Sequence, residues 1–263
     1  RGRGYDEFYL SEKHHPNRRD LDGAAPRNPV KISHRSGQAH VLNSLGLTLA
    51  GISRTTPDPP DGLIERDMSG DPTGLLYGMG GFLAKRVPPL PDDEYLEGVR
   101  MANENLLATG VTSLHDASSH NNMDSYRFFE RLKKEGVLLP RIMMMLGYDA
   151  LNDLHEGNFT SSLPADNLRP GSVKIVINET TGRMLPAREE LNEMVWEIHR
   201  RGLQAAIHAV EEKQIEAACL AIEKALITQP RTGHRHRVEH CSVCPPALAS
   251  RLAAAGIIVV TQP

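Results

Sequence analysis

From residue 110 onward, six short apolar runs recur at intervals of about thirty residues, and this repeat constrains the fold more than any other feature of the chain. Turn residues bound each run, as they do in buried parallel strands. The runs span residues 110–117, 141–146, 172–177, 203–210, 236–242 and 257–262. Helix patterns lie between them, so the chain alternates strand and helix.

The clearest helix pattern begins near Pro186 and ends at Gly202, a residue type that commonly follows a helix C-terminus. Its apolar residues recur with the period of one helix face. They are Leu191, Met194, Val195 and Ile198. A second pattern starts at about Glu212, and a third ends at Gly256.

This alternation predicts an α/β fold with a parallel sheet, either doubly wound or closed into a (β/α)8 TIM-type barrel. No glycine-rich dinucleotide fingerprint follows any of the runs, so the barrel is favoured. Six visible strands leave two of the eight to be found elsewhere. We therefore predict an incomplete barrel over residues 96–263.

Residues 1–95 differ in kind, because they are rich in Pro, Gly, Asp and Arg and contain several turn clusters. They predict an irregular subdomain packed on the barrel, with one helix within residues 37–51. The chain opens on Arg1 and stops at the end of an apolar run, so we expect it to be part of a longer protein.

Charge and cysteine content narrow the classes of partner and compartment. Thirty basic and 33 acidic residues give a formal charge of -3, which favours neither nucleic acid nor a membrane surface as a partner. Three cysteines do not resemble a disulfide framework, and no run is long enough to be a membrane span. We expect a cytoplasmic protein with a small-molecule substrate and consider a homodimer as its assembly.

Barrel enzymes carry their catalytic groups at the C-terminal ends of the strands. His115, Lys174, His208 and His240 lie in or at the ends of four predicted strands. The last three are separated by 34 and 32 residues, which is one βα unit each, so all three can point into one barrel. Neutral imidazoles suit zinc and related ions, and a lysine can join them only if it is uncharged or converted to a carbamate.

A local zinc knuckle is the competing interpretation of "HRHRVEHCSVC", with His236, His240, Cys241 and Cys244 as ligands. Its weakness is that residues i and i+4 of a strand lie about 13 Å apart. We expect His236 to lie at the opposite, stability face of the barrel and His199 to be a solvated helix residue.

At this point the sequence resembles the amidohydrolase superfamily, specifically the amidohydrolase 3 branch that includes N-substituted formamide deformylases. The resemblance runs along nearly the whole chain, and its segments occur in the family order. They are "GRGYDE", "HRSGQAHVLNSLGLTLAGI", "TPDPPDGLIERDMSGDPTGLL", "GVTSLHDA", "VKI", "GLQAAIHAV" and "HRVEHC". The resemblance implies a metal-dependent barrel in which this chain supplies strands two to seven and residues 1–95 form an insertion between strands one and two.

The resemblance also implies roles for individual residues. Lys174 matches the fourth-strand lysine that is often carboxylated, and His208 and His240 match the fifth- and sixth-strand ligands. The metal would be divalent zinc, as one or two ions. The first-strand H-x-H pair and the eighth-strand aspartate that acts as general base would lie outside this chain, so no catalytic base is assigned within it. Residues expected to contact substrate are Gln38, His40, Asn43 and His115.

The implied function is hydrolysis of a non-peptide C–N bond, amide or formamide-like, by metal-activated water. Two positions depart from the family pattern. They are Gly37-Gln38 in place of Gly-His, and Glu211-Glu212 in place of Gly-Asp. The alternatives are a non-catalytic barrel remnant acting as a binding module, and a metal-dependent esterase or deaminase.

Overall fold

The computed structural model describes residues 1–60, 62–155, 167–179 and 182–261. The chain divides into two compact units, which are Arg1–Leu90 with Asn178–Leu185, and Pro91–Ile177 with Pro186–Pro263. The division of the chain into residues 1–95 and 96–263 stays a prediction. The same holds for the expectation that the first of these segments is an insertion in an intact barrel.

The first unit is built on a five-stranded sheet with the order β1-β2-β3-β5-β4. β1 pairs parallel with β2, and the other pairs are antiparallel. The strands are β1 (Gly2–Tyr5), β2 (Lys31–His34), β3 (Ala39–Leu42), β4 (Leu63–Arg66) and β5 (Pro72–Tyr77). The helices are α1 (Arg18–Ala24), α2 (Ser44–Leu49) and α3 (Gly80–Ala84), with a 3-10 turn at Glu7–Tyr9.

The expectation of an irregular subdomain is therefore wrong for this unit. Strands this short, separated by Pro- and Gly-rich turns, show too little period-two alternation to be recognised from sequence. The helix predicted within residues 37–51 is also only half correct, because its first part is β3. Asn43 separates the two elements, since its Oδ1 accepts a hydrogen bond from Gly46 N at 2.8 Å and caps α2.

The second unit contains a parallel-strand half-barrel. Its six described strands pair in the order in which they occur along the chain, and every pairing is parallel. They are β6 (Ser113–Asp116), β7 (Arg141–Gly147), β8 (Leu168–Val176), β9 (Ala205–Ala209), β10 (Arg237–His240) and β11 (Ile258–Val260). Their numbering as strands two to seven of eight stays a prediction.

One helix precedes the first of these strands, others follow most of them, and the helices cover one face of the sheet. They are α4 (Asp92–Ala108), α5 (Met123–Lys134), α6 (Leu151–His155), α7 (Arg188–Arg200), α8 (Glu212–Thr228) and α9 (Pro246–Ala254), with a 3-10 turn at Tyr148–Ala150. Within the described ranges, none of these helices is long and apolar enough to cross a bilayer. In α7, Leu191, Val195 and Ile198 are fully buried, as the periodicity predicts, and Gly202 follows with φ 75°.

A buried histidine network lies at the start of β10, and it corrects the prediction for His199. That residue is fully buried rather than solvated. His199 Nε2 donates to Gln229 O at 2.8 Å, so its Nδ1 accepts from His236 Nε2, also at 2.8 Å. His236 Nδ1 in turn accepts from Ala205 N at 2.9 Å. Because each ring accepts a hydrogen bond at Nδ1 and donates one at Nε2, each carries a single ring proton, so both histidines are neutral and structural.

Replacing His236 by asparagine should make folding less sensitive to acid. Burial and the neighbouring His234 and Arg231 lower the pKa of His236 from 6.5 to about 3. The unfolded chain then binds more protons than the folded one between these values, so stability present above pH 6.5 is lost as the pH falls towards 3. From pH 7 to pH 5 this residue should cost about 2 kcal/mol.

Urea unfolding at pH 7, 6 and 5 measures the effect. The wild-type protein should lose more stability over this range than His236→Asn, because asparagine does not titrate but can still accept from Ala205 N. Equal pH slopes for the two proteins would show that His236 is not held neutral.

Candidate metal centre

The register of two neighbouring strands, β8 and β9, places Lys174 and His208 on the same face of the sheet. Lys174 pairs with Ala206 of β9, and His208 follows two residues later on the same strand. Side chains two residues apart on a strand point the same way. The opposite face packs against α7 and α8 and consists of almost fully buried apolar residues. They are Val173, Ile175, Ala205, Ile207 and Val238. We call the face that carries Lys174 and His208 the inward face.

His240 reaches His208 through an irregular backbone turn at the end of β10. Strict alternation after Glu239 would turn its ring away from the inward face. Instead, His240 has φ 73°, and Cys241 N donates to Glu239 O at 3.1 Å, which closes a γ-turn centred on His240. The ring then lies 4.5 Å from the ring of His208, centroid to centroid, at an interplanar angle of 71°.

The surroundings favour the uncharged forms of Lys174 and His208. Lys174 is 5% exposed, and burial is the main cause that lowers the pKa of its ammonium group. Burial, His240 and Lys174 together lower the pKa of His208 to about 4. A neutral imidazole and a neutral amine are the forms required for metal binding and for carbamate formation, respectively.

Sequence reasoning missed two further residues of the inward face, Arg237 and Glu239. Arg237 pairs in register with Ala206, and Glu239 with His208, so both point inward beside the predicted ligands. Glu239 is 5% exposed, and both of its oxygens accept from Arg237, at Nη2 over 3.1 Å and at Nε over a shorter distance. The signal was the i, i+2 spacing of opposite charges in "RVE", which puts both charges on one face of a strand.

His115 lies two strands away from Lys174 in the sheet, yet it is within electrostatic reach of the inward face: desolvation, followed by the charge of Arg237, lowers its pKa, and the charge of Glu239 raises it. It lies on β6 in register with Met143 of β7, and it is exposed. β7 and β8 separate its strand from β9, and neighbouring strands lie about 4.8 Å apart. Its predicted contact with substrate stays a prediction.

The other predicted substrate residues lie in the first unit and differ in exposure. Gln38 is exposed in the turn before β3, whereas His40 and Asn43 are buried. His40 Nδ1 is bonded to Ser33 Oγ at 2.9 Å, and burial is the main cause that lowers the pKa of His40 to about 4. The three residues therefore do not present one common binding surface.

The side-chain amide of Asn43 makes all of its hydrogen bonds with backbone groups. Its Oδ1 accepts from Val30 N and Gly46 N, both at 2.8 Å, and its Nδ2 donates to Asn28 O at 2.8 Å and to Ala25 O at 3.3 Å. These four bonds leave no capacity for a substrate, so we do not carry Asn43 into the proposed site.

The zinc knuckle is excluded by the bonding of His236. Its Nδ1 lone pair accepts from Ala205 N and its Nε2 carries the proton donated to His199, so neither nitrogen can bind zinc beside Cys241 and Cys244. The two thiols contact each other instead. Burial, followed by the Cys244 sulfur, raises the pKa of the Cys241 thiol to about 11.

One other group of potential ligands occurs within the described part of the chain, namely Asp6, Glu7 and His34. His34 Nε2 lies 3.0 Å from Glu7 Oε2. Ser36 N donates to His34 Nδ1 at 3.1 Å, which places the ring proton on Nε2, towards the carboxylate. We therefore interpret this group as a histidine–carboxylate pair rather than a metal site.

Comparison with protein families gives a match over the whole chain, since a family model described as "Amidohydrolase family" covers residues 1–263. Amidohydrolase YtcJ of Bacillus subtilis (strain 168) is 26% identical over 284 residues, and N-substituted formamide deformylase of Arthrobacter pascens is 26% identical over 290 residues. Each alignment covers 100% of this chain and 53% of the relative. The chain thus spans about half the length of these proteins.

Two solved structures share the fold. An uncharacterised metal-dependent hydrolase from Pyrococcus horikoshii OT3 aligns with a TM-score of 0.66 at 24% identity, over 100% of this chain and 53% of its own. A metal-dependent hydrolase from Pyrococcus furiosus aligns with a TM-score of 0.63 at 24% identity, over 99% of this chain and 55% of its own. At this identity the likeness establishes a common fold.

Asn43→Ala should destabilise the protein by about 3 kcal/mol, because it leaves two backbone amides and two carbonyls without their partner. Gln38→Ala is the matched control, since that side chain is exposed and its bonds in the turn are made by the backbone. The free energy of unfolding in urea measures both. Similar values for the two variants would contradict the structural role of Asn43.

Proposed function

The chain belongs to the amidohydrolase family, and from that premise we propose that the intact protein is a metal-dependent hydrolase of a carbon–nitrogen bond other than a peptide bond. The observation that carries the proposal is that the rings of His208 and His240 lie 4.5 Å apart, centroid to centroid, and that His208 shares the inward face with Lys174. Two imidazoles, together with a buried lysine once it is converted to a carbamate, form a donor set that suits a divalent ion.

Lys174, His208 and His240 would hold the ion. When bound, a divalent metal polarises a carbonyl and makes water a better nucleophile at neutral pH. We predict that the metal is zinc, that one or two ions bind, and that the protein is cytoplasmic.

The chain's own residues prepare this site by controlling protons. Burial keeps the His208 imidazole neutral, so its lone pair is available without loss of a proton. Burial also favours the neutral amine of Lys174. In that form Nζ can add to carbon dioxide and release one proton, which yields an anionic carbamate with oxygen donors in place of a cation.

The sheet supplies the rigidity that the site needs. His208 lies on β9, between β8 and β10, so neighbouring strands fix its backbone on both sides. Cys241 N bonds to Ala209 O at 3.0 Å and ties the turn at His240 to β9. Sites built on paired strands hold their ligands more closely than sites on loops.

The substrate class follows from the relatives' names and is part of the proposal. One relative is a deformylase of N-substituted formamides, and another is named an amidohydrolase. We therefore propose a small amide or formamide as the substrate. The proton acceptor during hydrolysis would come from a part of the intact protein outside this chain.

In the intact protein, His208→Ala and His240→Ala should each lose bound metal and lower kcat/KM for a simple N-alkylformamide by at least about 100-fold, because each removes a direct ligand. His14→Ala, an exposed loop histidine, is the control and should match the wild-type protein. Metal content is measured by elemental analysis, and turnover by release of formate. Unchanged metal and turnover in both ligand variants would overturn the proposal.

The same assay separates the alternative chemistries. Esters and ring amines are offered beside the formamide, and preference for either would point to an esterase or a deaminase. Metal bound at His208 without hydrolysis of any of these substrates would favour a binding module.

A further inference from the structure

The inward face of β8, β9 and β10 carries more charge than the predicted ligands account for. Its residues form two cross-strand rows. One row is Lys174, Ala206 and Arg237, and the other is Val176, His208 and Glu239. Arg237 and Glu239 occupy the strand that also ends in His240, so an ion pair lies within the proposed metal centre.

We propose that Glu239 is a positioning residue of the metal centre, which holds Arg237 in a neutral ion pair so that a divalent cation can bind beside it. The inference rests on the proposed function, because it assumes that Lys174, His208 and His240 hold the ion. It assigns a role to a residue that does not itself bind metal or substrate.

The ion pair has the geometry for this task. Glu239 is directly opposite His208 in register, and its carboxylate accepts from two nitrogens of Arg237. A bidentate contact of this kind fixes the orientation of both side chains. Glu239 is the only acid among the inward residues of the described parts of β8, β9 and β10.

Arg237 needs a counter-charge because its side chain is largely buried. A guanidinium group is a cation at physiological pH, and the Arg237 side chain is only 14% exposed. Without Glu239, this guanidinium would be an uncompensated cation on the same face as Lys174 and His208. Charges in a poorly solvated region interact several-fold more strongly than in water, so the unpaired Arg237 would repel an incoming dication.

A purely structural ion pair would behave differently. Its loss would lower the stability of the half-barrel and would leave the affinity of the folded protein for metal unchanged. Removing both partners separates the two roles, because the double variant has neither the buried cation nor its counter-charge.

The experiment uses the intact protein and measures its dissociation constant for Zn²⁺ by competition with a chromophoric chelator. Glu239→Gln preserves shape and removes the charge, and it should weaken binding by at least about 10-fold, the size typical of residues that support metal ligands. The Arg237→Met/Glu239→Gln double variant should recover to within about 3-fold of the wild-type protein. Glu239→Asp keeps the charge and should bind metal more tightly than Glu239→Gln.

Glu223→Gln is the matched control, because Glu223 forms an ion pair with Arg251 between α8 and α9, at 2.6 Å and away from the inward face. It should bind zinc as the wild-type protein does. Thermal unfolding of each variant verifies that it is folded. If Glu239→Gln does not fold, the double variant and Glu239→Asp still test the proposal, since both should bind zinc.

Two results would overturn the inference. Wild-type affinity in Glu239→Gln, or a double variant as weak as Glu239→Gln, would show that charge balance is not the role of Glu239. His208→Ala distinguishes this failure from failure of the proposed function. If His208→Ala loses zinc while Glu239→Gln keeps it, only the role of Glu239 is wrong; if His208→Ala keeps zinc, both proposals are wrong.

Discussion

The parallel register of β8, β9 and β10 is the constraint on which the rest of the second unit depends. One face of these strands is apolar and nearly inaccessible to water, and each large side chain buried there stabilises the fold by about 1.5–3 kcal/mol. A slip of one residue would exchange the two faces and bury Lys174 and Glu239 among the helices. The hydrophobic face thereby determines which polar side chains lie together on the inward face.

Regular pairing accounts for Lys174, His208 and Glu239, but His240 departs from it. Its positive φ and that of Cys241 are unfavourable for residues other than glycine, and such backbone strain costs about 1–3 kcal/mol per residue. The hydrogen bonds of Cys241 N to Glu239 O and Ala209 O hold the turn in place. Backbone strain clusters at functional sites, so the strain at His240 supports its proposed role as a metal ligand.

Histidines of two kinds occur along β10 and its neighbours, and hydrogen bonding distinguishes them. At the start of the strand, His236 and His199 use every ring nitrogen within a buried network. At its end, His240 packs ring against ring with His208 on the face that carries the buried lysine. The first kind stabilises the half-barrel, and the second kind supplies the donors on which the proposed hydrolase chemistry rests.

Apolar periodicity and motif order predicted the parallel half-barrel, the helices α7 to α9 and the amidohydrolase family, because both are local properties of the chain. It also singled out Lys174, His208 and His240 by their spacing of one βα unit, although their role as ligands stays a prediction. The folded chain was needed to show that His199 is buried, that Asn43 is bonded to backbone on all sides, and that residues 1–90 contain a regular sheet. These properties depend on partners distant in sequence, such as Gln229 for His199 and Ala25 for Asn43. The pairing of Arg237 with Glu239 beside His208 likewise required the register between strands, because a single strand shows which residues share a face but not what lies next to them.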